Sequence, residues 1–426
     1  MSEAPTDLST KSERSSGKRG KGGGGGGSGQ SRHQGKATGR ARVQFDDPSR
    51  VARAAKAQIT SRSIQQSDVP FLQHLPQYEG NTSISRGSGF GTGQVHPAIQ
   101  ALGVKYAQGV ITGGHSRCLA FVNAMEEVFG DFVMTDMNNA QQIHRESSKL
   151  LNRCVQFVVE CRPLSVSMGN FVRYLKEQIA HLPLVLSLPE ARKLILEAID
   201  LFREKRLLLP VNEIADIGSK LIGRGEKIVV YAYSEVVLNL LKQARTMGTD
   251  FLVIVIDSRP LYEGRRMAKA LDEAGINTDY GLLNGASYLI HSATKVILGA
   301  HSIMADGSVT SRIGTASVAL LAKSLHVPIL VACEAVKFSD RVQLDSIAFN
   351  ELGDPLQLLP SACERSADAS LSELRDKLPS NLRMINMLYD VTPAAYIQAA
   401  ICEVGVIPTT SALVIYHEMS DYTTSY

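Results

Sequence analysis

Between Lys227 and Glu334, short apolar runs alternate with stretches of helical character, and this leaves few folds open to the chain. The runs read KIVVY, FLVIVID, KVILG and VPILVAC. Each is rich in β-branched residues and lacks polar alternation, as strands covered on both faces do. The intervening segments have the length of crossover helices, about 10–15 residues. Strands are predicted at 227–232, 250–257, 278–283, 295–299, 327–333 and 411–416. Helices are predicted near 234–247, 263–274, 284–293, 315–325 and 394–404. Gly275 should close the helix that ends Asp272-Glu273-Ala274. Thr392-Pro393 should open the last one, a cap followed by proline at the first helical position.

The class is therefore α/β, with a Rossmann-like, mainly parallel sheet over 208–426. Ligands of such sheets sit beyond the carboxyl ends of the strands, so the residues there are the candidates for chemistry. Upstream, 96–207 has helical periodicity. Leu119, Val122, Met125 and Phe129 mark one apolar face, and Leu150, Cys154, Phe157, Val158 and Cys161 mark another. Phe171, Leu175 and Ile179 continue the pattern. Residues 43–95 hold apolar islands, VQFDDP and DVPFLQHLPQYEG, that read as an extended arm docking on a surface. The glycine-rich piece at 87–93 has no strand before it and no Lys-Ser/Thr after it, so it reads as a linker and not a phosphate loop.

The charge of +3 is unevenly spread. Residues 1–45 carry nine Lys/Arg and three acids, leaving the remainder at −3. Residues 1–42, with the run Gly22–Gly27, have a composition that cannot build a core. Such a tail could be an RNA-binding arm, but no aromatic is interleaved for base stacking, which favours a solvated tail. Direct nucleic-acid binding is not expected. No apolar run approaches the length of a membrane span, and the N-terminus lacks the apolar stretch of a secretory signal. The six cysteines (Cys118, Cys154, Cys161, Cys333, Cys363, Cys402) form no CxxC pair and lack zinc-site spacing. They read as reduced, buried thiols of a cytosolic protein, and neither metal nor cofactor is expected.

Known catalytic signatures are missing: there is no G-x-S-x-G elbow and no Walker A sequence. His291 and His301 read as structural histidines, and Asp306-Gly307 as a tight turn. Arg259 and Glu263 read as an ion pair holding the loop after the second strand, or as ligand-binding groups. Arg265 and Arg266 read as a solvated helix face. Leu283, Ile290, Leu320, Leu321, Leu413 and Ile415 could serve the core or a dimer contact.

Longer motifs carry a family resemblance. DSRPLYEGRRMA (257–268), LGAHSIMADGSVTSRIGT (298–315), YDVTPAAYI (389–397) and EVGVIP (403–408) resemble segments of one family. It unites methylthioribose-1-phosphate and ribose-1,5-bisphosphate isomerases with the alpha, beta and delta subunits of initiation factor 2B. VQFDDP, VPFLQHLPQYEG, HPAIQALGVKYAQGVITG, LLNGASYLI and NELGDP look most like the delta branch. The resemblance runs from about residue 43 to 426.

The isomerase branch implies a catalytic Cys, which falls at Tyr233 here, and a catalytic Asp, which falls at Leu283. A phenol with a pKa of about 10 is a poor proton acceptor near neutral pH, and leucine carries no proton. The implied phosphate cradle falls on Glu263, Arg312, Gly314 and Thr315, where Glu263 replaces a glutamine with an acceptor-only carboxylate that repels phosphate. The resemblance thus implies a non-catalytic subunit of the guanine-nucleotide exchange factor for initiation factor 2. It implies a cytosolic heterodecamer with alpha, beta, gamma and epsilon subunits, and a role in sensing phosphorylation of the alpha subunit of initiation factor 2. The alternative is a pentose-phosphate aldose–ketose isomerase.

Overall fold

The computed structural model describes residues 69–77, 95–133, 140–183, 186–343, 345–359 and 381–421. All belong to the second of two units, Lys56–Tyr426. The basic tail, VQFDDP, the glycine-rich piece at 87–93 and Cys363 lie outside the described residues.

The first helices are α1 (Pro97–Ala107), α2 (Gly114–Gly130), α3 (Ala140–Cys161), α4 (Val166–Ala180) and α5 (Leu188–Phe202). Their starts follow from local chemistry. His96 Nδ1 accepts the N–H of Ala98, with Pro97 behind it in the first turn. Ser187 and Glu190 form a reciprocal capping box on α5. The apolar faces meet in one core, where Phe171 packs against Phe121 and Phe202 at 5.8 and 4.9 Å between ring centres. Full burial of each such ring stabilises by roughly 1.5–3 kcal/mol.

Helix α5 does not stop at Phe202. It continues through a π-helical turn, Arg203–Leu208, into α6 (Leu209–Ser219). Pro210 explains the widening: it has no N–H to give the carbonyl of Arg206. The N–H of Leu209 reaches back to Glu204 instead.

The strands that follow are β1 (Lys227–Tyr231), β2 (Leu252–Asp257), β3 (Asn277–Leu282), β4 (Lys295–Gly299), β5 (Ser302–Ile303), β6 (Val309–Arg312), β7 (Ile329–Ala332), β8 (Tyr389–Thr392), β9 (Ala399–Cys402) and β10 (Gly405–Ile407). Interleaved helices are α7 (Glu235–Thr246), α8 (Glu263–Asp272), α9 (Ala286–His291), α10 (Thr315–Ser324) and α11 (Ala412–Asp421). The main sheet runs β10-β9-β7-β4-β1-β2-β3, parallel except where β10 turns back on β9. Its strands feed two cores: Ile228 and Val230 face one, Val229 and Tyr231 the other. A small antiparallel sheet, β5-β6-β8, stands beside it.

Five of the six expected strands are present. The C-terminal expectations are reversed. Residues 411–416 are not a strand: Ala412, Ile415 and Tyr416 are buried at helical spacing on α11, while Val414 faces out. Residues 394–404 are not a helix: a single 3-10 turn, Ala394–Tyr396, leads into β9, where Ala400, Ile401 and Cys402 are buried against β7. Alanine's helix preference is a weak prior that the open edge of β7 overrides. Thr392-Pro393 accordingly ends β8 and opens no helix. Gly275 does close α8, at φ +67°, with Ile276 N–H bonded to Leu271 and its own N–H to Asp272.

Of the expected arm, residues 69–77 are described. Val69, Leu72 and Leu75 bury against Leu352, and Gln77 bridges to the same residue.

Candidate functional site

In the main sheet, β1 lies between β2 and β4: the chain winds first to β3, then returns to lay down β4, β7 and β9 on the other side. A crevice must open at that reversal, outside the carboxyl ends of β1 and β4. It holds a cleft of about 100 Å³. This is small beside the roughly 300–1,000 Å³ of pockets that enclose drug-sized ligands. Its floor is Tyr231–Ser234 after β1 and Leu298–His301 after β4. Its other walls are the head of α2 (Thr112–Ser116), together with Glu263, Ser311, Arg312, Thr315, Lys337 and Tyr389.

Four of the six residues expected at the site, Tyr233, Glu263, Arg312 and Thr315, line this cleft. Gly314 sits at its wall at φ +102°, where a Cβ would collide with the hydroxyl of Tyr231 and crowd Leu283. Leu283 is part-buried among the apolar residues under α10.

Glu263 does not pair with Arg259. It takes Arg312 instead, with Nε–Oε2 at 2.7 Å and Nη2–Oε1 at 2.6 Å. Both side chains are only about one-fifth exposed (19% and 20%). Burial works against the charge of Arg312, and Glu263, joined by Tyr389, more than offsets it, raising its pKa. The guanidinium fork is filled by a carboxylate from the chain itself. The head of α10 is occupied too: Asp390 Oδ2 accepts the N–H groups of Gly314 and Ala316, at 2.7 and 3.0 Å. Burial pushes the Asp390 carboxyl up to about 6.

Tyr233 carries Arg266 over its ring, 4.0 Å from guanidinium carbon to centroid. Burial raises its pKa further from neutrality. Arg265 stacks likewise on Tyr262, at 4.2 Å. The two arginines are exposed, as expected of a solvated face, but both are ordered on aromatic rings.

The remaining charge is buried between the helices and the sheet. Glu334, fully buried, meets His115 Nδ1 at 2.8 Å and Lys337 Nζ at 2.5 Å. Burial alone would raise its pKa. Lys337 and His115 reverse that and pull it down to about 2. His301 packs on Tyr389, with ring centres 4.5 Å apart. Burial, with Arg117, Lys337, Arg162 and Arg312 around it, holds it well below the usual histidine range, and so neutral. Behind it Arg162 meets Glu351 at 2.9 Å and Tyr389 at 3.3 Å. Asp306-Gly307 makes the expected turn, with Asp306 accepting from Ser308.

His115, Lys337 and Tyr389 were not expected at the site. The pair Gly113-Gly114 just before His115 was a usable signal for a tight approach, whereas nothing near Lys337 marks it out. Among the described residues, no group of three or more His, Cys, Asp or Glu could hold a metal ion. None of the described helices is long and apolar enough to cross a membrane.

The model of the initiation factor 2 subunit family matches residues 110–409, which takes in the cleft and most of the helical and sheet cores. The chain belongs to the initiation factor 2 subunit family. Within it, the chain is 37% identical over 381 residues to translation initiation factor eIF2B subunit delta of Dictyostelium discoideum, covering 88% of this chain and 60% of that one. It therefore spans less than two thirds of that relative's length. It is 32% identical over 291 residues to ribose 1,5-bisphosphate isomerase of Pyrococcus furiosus, covering 67% of this chain and 85% of the isomerase. A crystal structure of the tetrameric eIF2B-beta2-delta2 complex from C. thermophilum matches with a TM-score of 0.66 at 27% identity, over 81% of this chain and 99% of that one. The family thus spans proteins named as enzymes and proteins named as subunits, and the chemistry of the cleft has to separate them.

Proposed function

We propose that the chain is a non-catalytic regulatory subunit of the guanine-nucleotide exchange factor for translation initiation factor 2. It acts in the cytosol, in translation initiation, within a complex of alpha, beta, gamma and epsilon subunits. There it takes part in sensing phosphorylation of the alpha subunit of initiation factor 2. The likeness to eIF2B delta proteins supports this reading. In its organisation, a helical region at 96–207 and an α/β region at 208–426 follow an arm at 43–95 and a basic tail.

One observation carries the case against an enzyme: the bidentate bond of Glu263 to Arg312. An aldose–ketose isomerase needs proton carriers beside the reacting carbons and a free cation for the phosphate. Tyr233 and Leu283 supply no carrier near pH 7, and Arg312 is already neutralised. Tyr233, Leu283, Glu263, Arg312, Gly314 and Thr315 are, in this reading, remnants of a sugar-phosphate site.

The test is co-expression of the full chain with an eIF2B beta subunit, followed by native mass spectrometry. A stoichiometric complex is expected. A dispersed chain that ignores the beta subunit overturns the assignment. The isomerase reading, which rests on the 32% identity to the Pyrococcus enzyme, predicts turnover by the isolated chain instead.

A further inference from the structure

Glu403 stands at the turn between β9 and β10, with its carboxylate reaching inward. Both oxygens approach the N–H of Ala335, at 3.0 and 3.2 Å. Ala335 opens the 3-10 turn Ala335–Lys337, which is a junction of three parts of the fold. Lys337 lines the cleft and pairs with Glu334. The carbonyls of Val336 and Phe338 accept from Asn170 Nδ2 of α4, at 2.8 and 3.2 Å. Glu334 reaches His115 at the head of α2. On the outer side of the hairpin, Val404 and Val406 are 62% and 45% exposed, so they contribute little packing that would hold the turn down.

The charges around Glu403 are few. Arg206 of the π-helical turn attracts it and Glu334 repels it. The thiols of Cys333 and Cys402 flank it, and Lys337 is taken by Glu334. The acids of α6, Glu213 and Asp216, are exposed to solvent. Two backbone N–H groups, those of Ala335 and of Glu403 itself, and one arginine compensate poorly for drawing a carboxylate partly out of water. Desolvation, aided by Glu334, pushes Glu403 up to about 7, against the pull of the N–H groups of Ala335 and of Glu403 itself and of Arg206. A carboxyl that resists ionisation when seated ionises readily once water reaches it, so its charge favours the unseated state.

We propose that Glu403 is a proton-sensitive latch. Seated and neutral, it holds the C-terminal hairpin on the Ala335–Lys337 turn. Ionised, it swings toward water and loosens the turn that carries Lys337 and Glu334 into the cleft. Arg206 sets the pH at which this happens, because its charge favours the seated carboxylate. That ties the latch to the π-helical turn between the helical and α/β regions.

Hydrogen–deuterium exchange on the full chain at pH 6 and pH 8, corrected for intrinsic rates, tests this. Opening at Ala335 and Lys337 should rise about tenfold between the two. Glu403→Gln, neutral throughout, should show no such rise, and Arg206→Met should move the midpoint to higher pH. A wild type with no pH response overturns the latch, as does a Glu403→Gln variant that keeps the response. An Arg206→Met midpoint equal to wild type removes the arginine's part. NMR of selectively labelled glutamate carboxyls gives a check that needs no variant: a Glu403 midpoint near the unperturbed value of about 4.3 contradicts the proposal.

Discussion

Glu263 holds Arg312 through both carboxylate oxygens, at 2.6 and 2.7 Å, in the wall of the cleft where the parallel sheet reverses its order. The two residues lie 49 positions apart, one opening α8 and one ending β6. Their pairing sets a carboxylate against the guanidinium charge at this corner of the cleft.

Replacing Glu263 with glutamine should free that corner. The variant keeps a hydrogen-bond acceptor but loses the counter-charge, so folding stability should fall by about 1–2 kcal/mol. In exchange, Arg312 becomes available to inorganic phosphate. Thermal unfolding should then show a phosphate-dependent rise in Tm for Glu263→Gln and none for the wild type.

Lys337 holds a fully buried carboxylate in its charged form. Lys337→Met leaves Glu334 with His115 alone, and breaking a buried pair in this way costs about 3–5 kcal/mol. Denaturant unfolding should show the midpoint fall with no change in slope. The double variant Lys337→Met/Glu334→Leu should recover much of the loss, since it removes the stranded charge along with its partner.

Stability should depend on pH in two opposite ways. Glu334 is pulled below its ordinary value to about 2, so its contribution is present above about 4.3 and is lost as pH falls toward 2. Asp390 is raised to about 6, so its neutral form favours the fold below about 4, and that contribution is lost as pH rises through 6. Urea titrations should therefore show stability declining from pH 5 to pH 7. Asp390→Asn, which can still accept from Gly314 and Ala316, should flatten the Asp390 part of that decline, worth up to about 3 kcal/mol.

Gly314 permits the close approach of β1 to the head of α10. At φ +102° a side chain is strained, and a Cβ would strike Tyr231. Gly314→Ala should destabilise by about 2 kcal/mol or more. Tyr231→Phe should not rescue it, because the ring carbon that bears the hydroxyl is itself too close.

Much of this was legible in the chain, for reasons that can be stated residue by residue. β1, β2, β4 and β7 are buried on both faces, so their composition alone marks them. Gly275 marks the end of α8 because the αL position there favours a residue without Cβ. The C-terminal exchange was not legible from local preference: Ala-rich 399–402 becomes a strand only because β7 offers an unpaired edge. α11 could have been read from Ala412, Ile415 and Tyr416, whose 3,4 spacing is disguised by the apolar neighbours Leu413 and Val414. At the site, Tyr233, Glu263 and Arg312 were visible through motif spacing. Lys337 was not, because its place depends on a fold-back from β7 toward α2 that no local pattern encodes. Of the two readings of Arg259 and Glu263, the ion pair between them fails for the same reason: Arg259 is near in sequence, while Arg312 is brought in by β6.

The most direct test of the central claim is an assay of the purified full chain with ribose 1,5-bisphosphate, following formation of the ketose by NMR. With Tyr233 and Leu283 at the two positions where the isomerases need a proton carrier, and Arg312 already paired with Glu263, the predicted outcome is no product above the enzyme-free background at any pH from 6 to 9. Turnover by the wild type that Tyr233→Phe abolishes would contradict it.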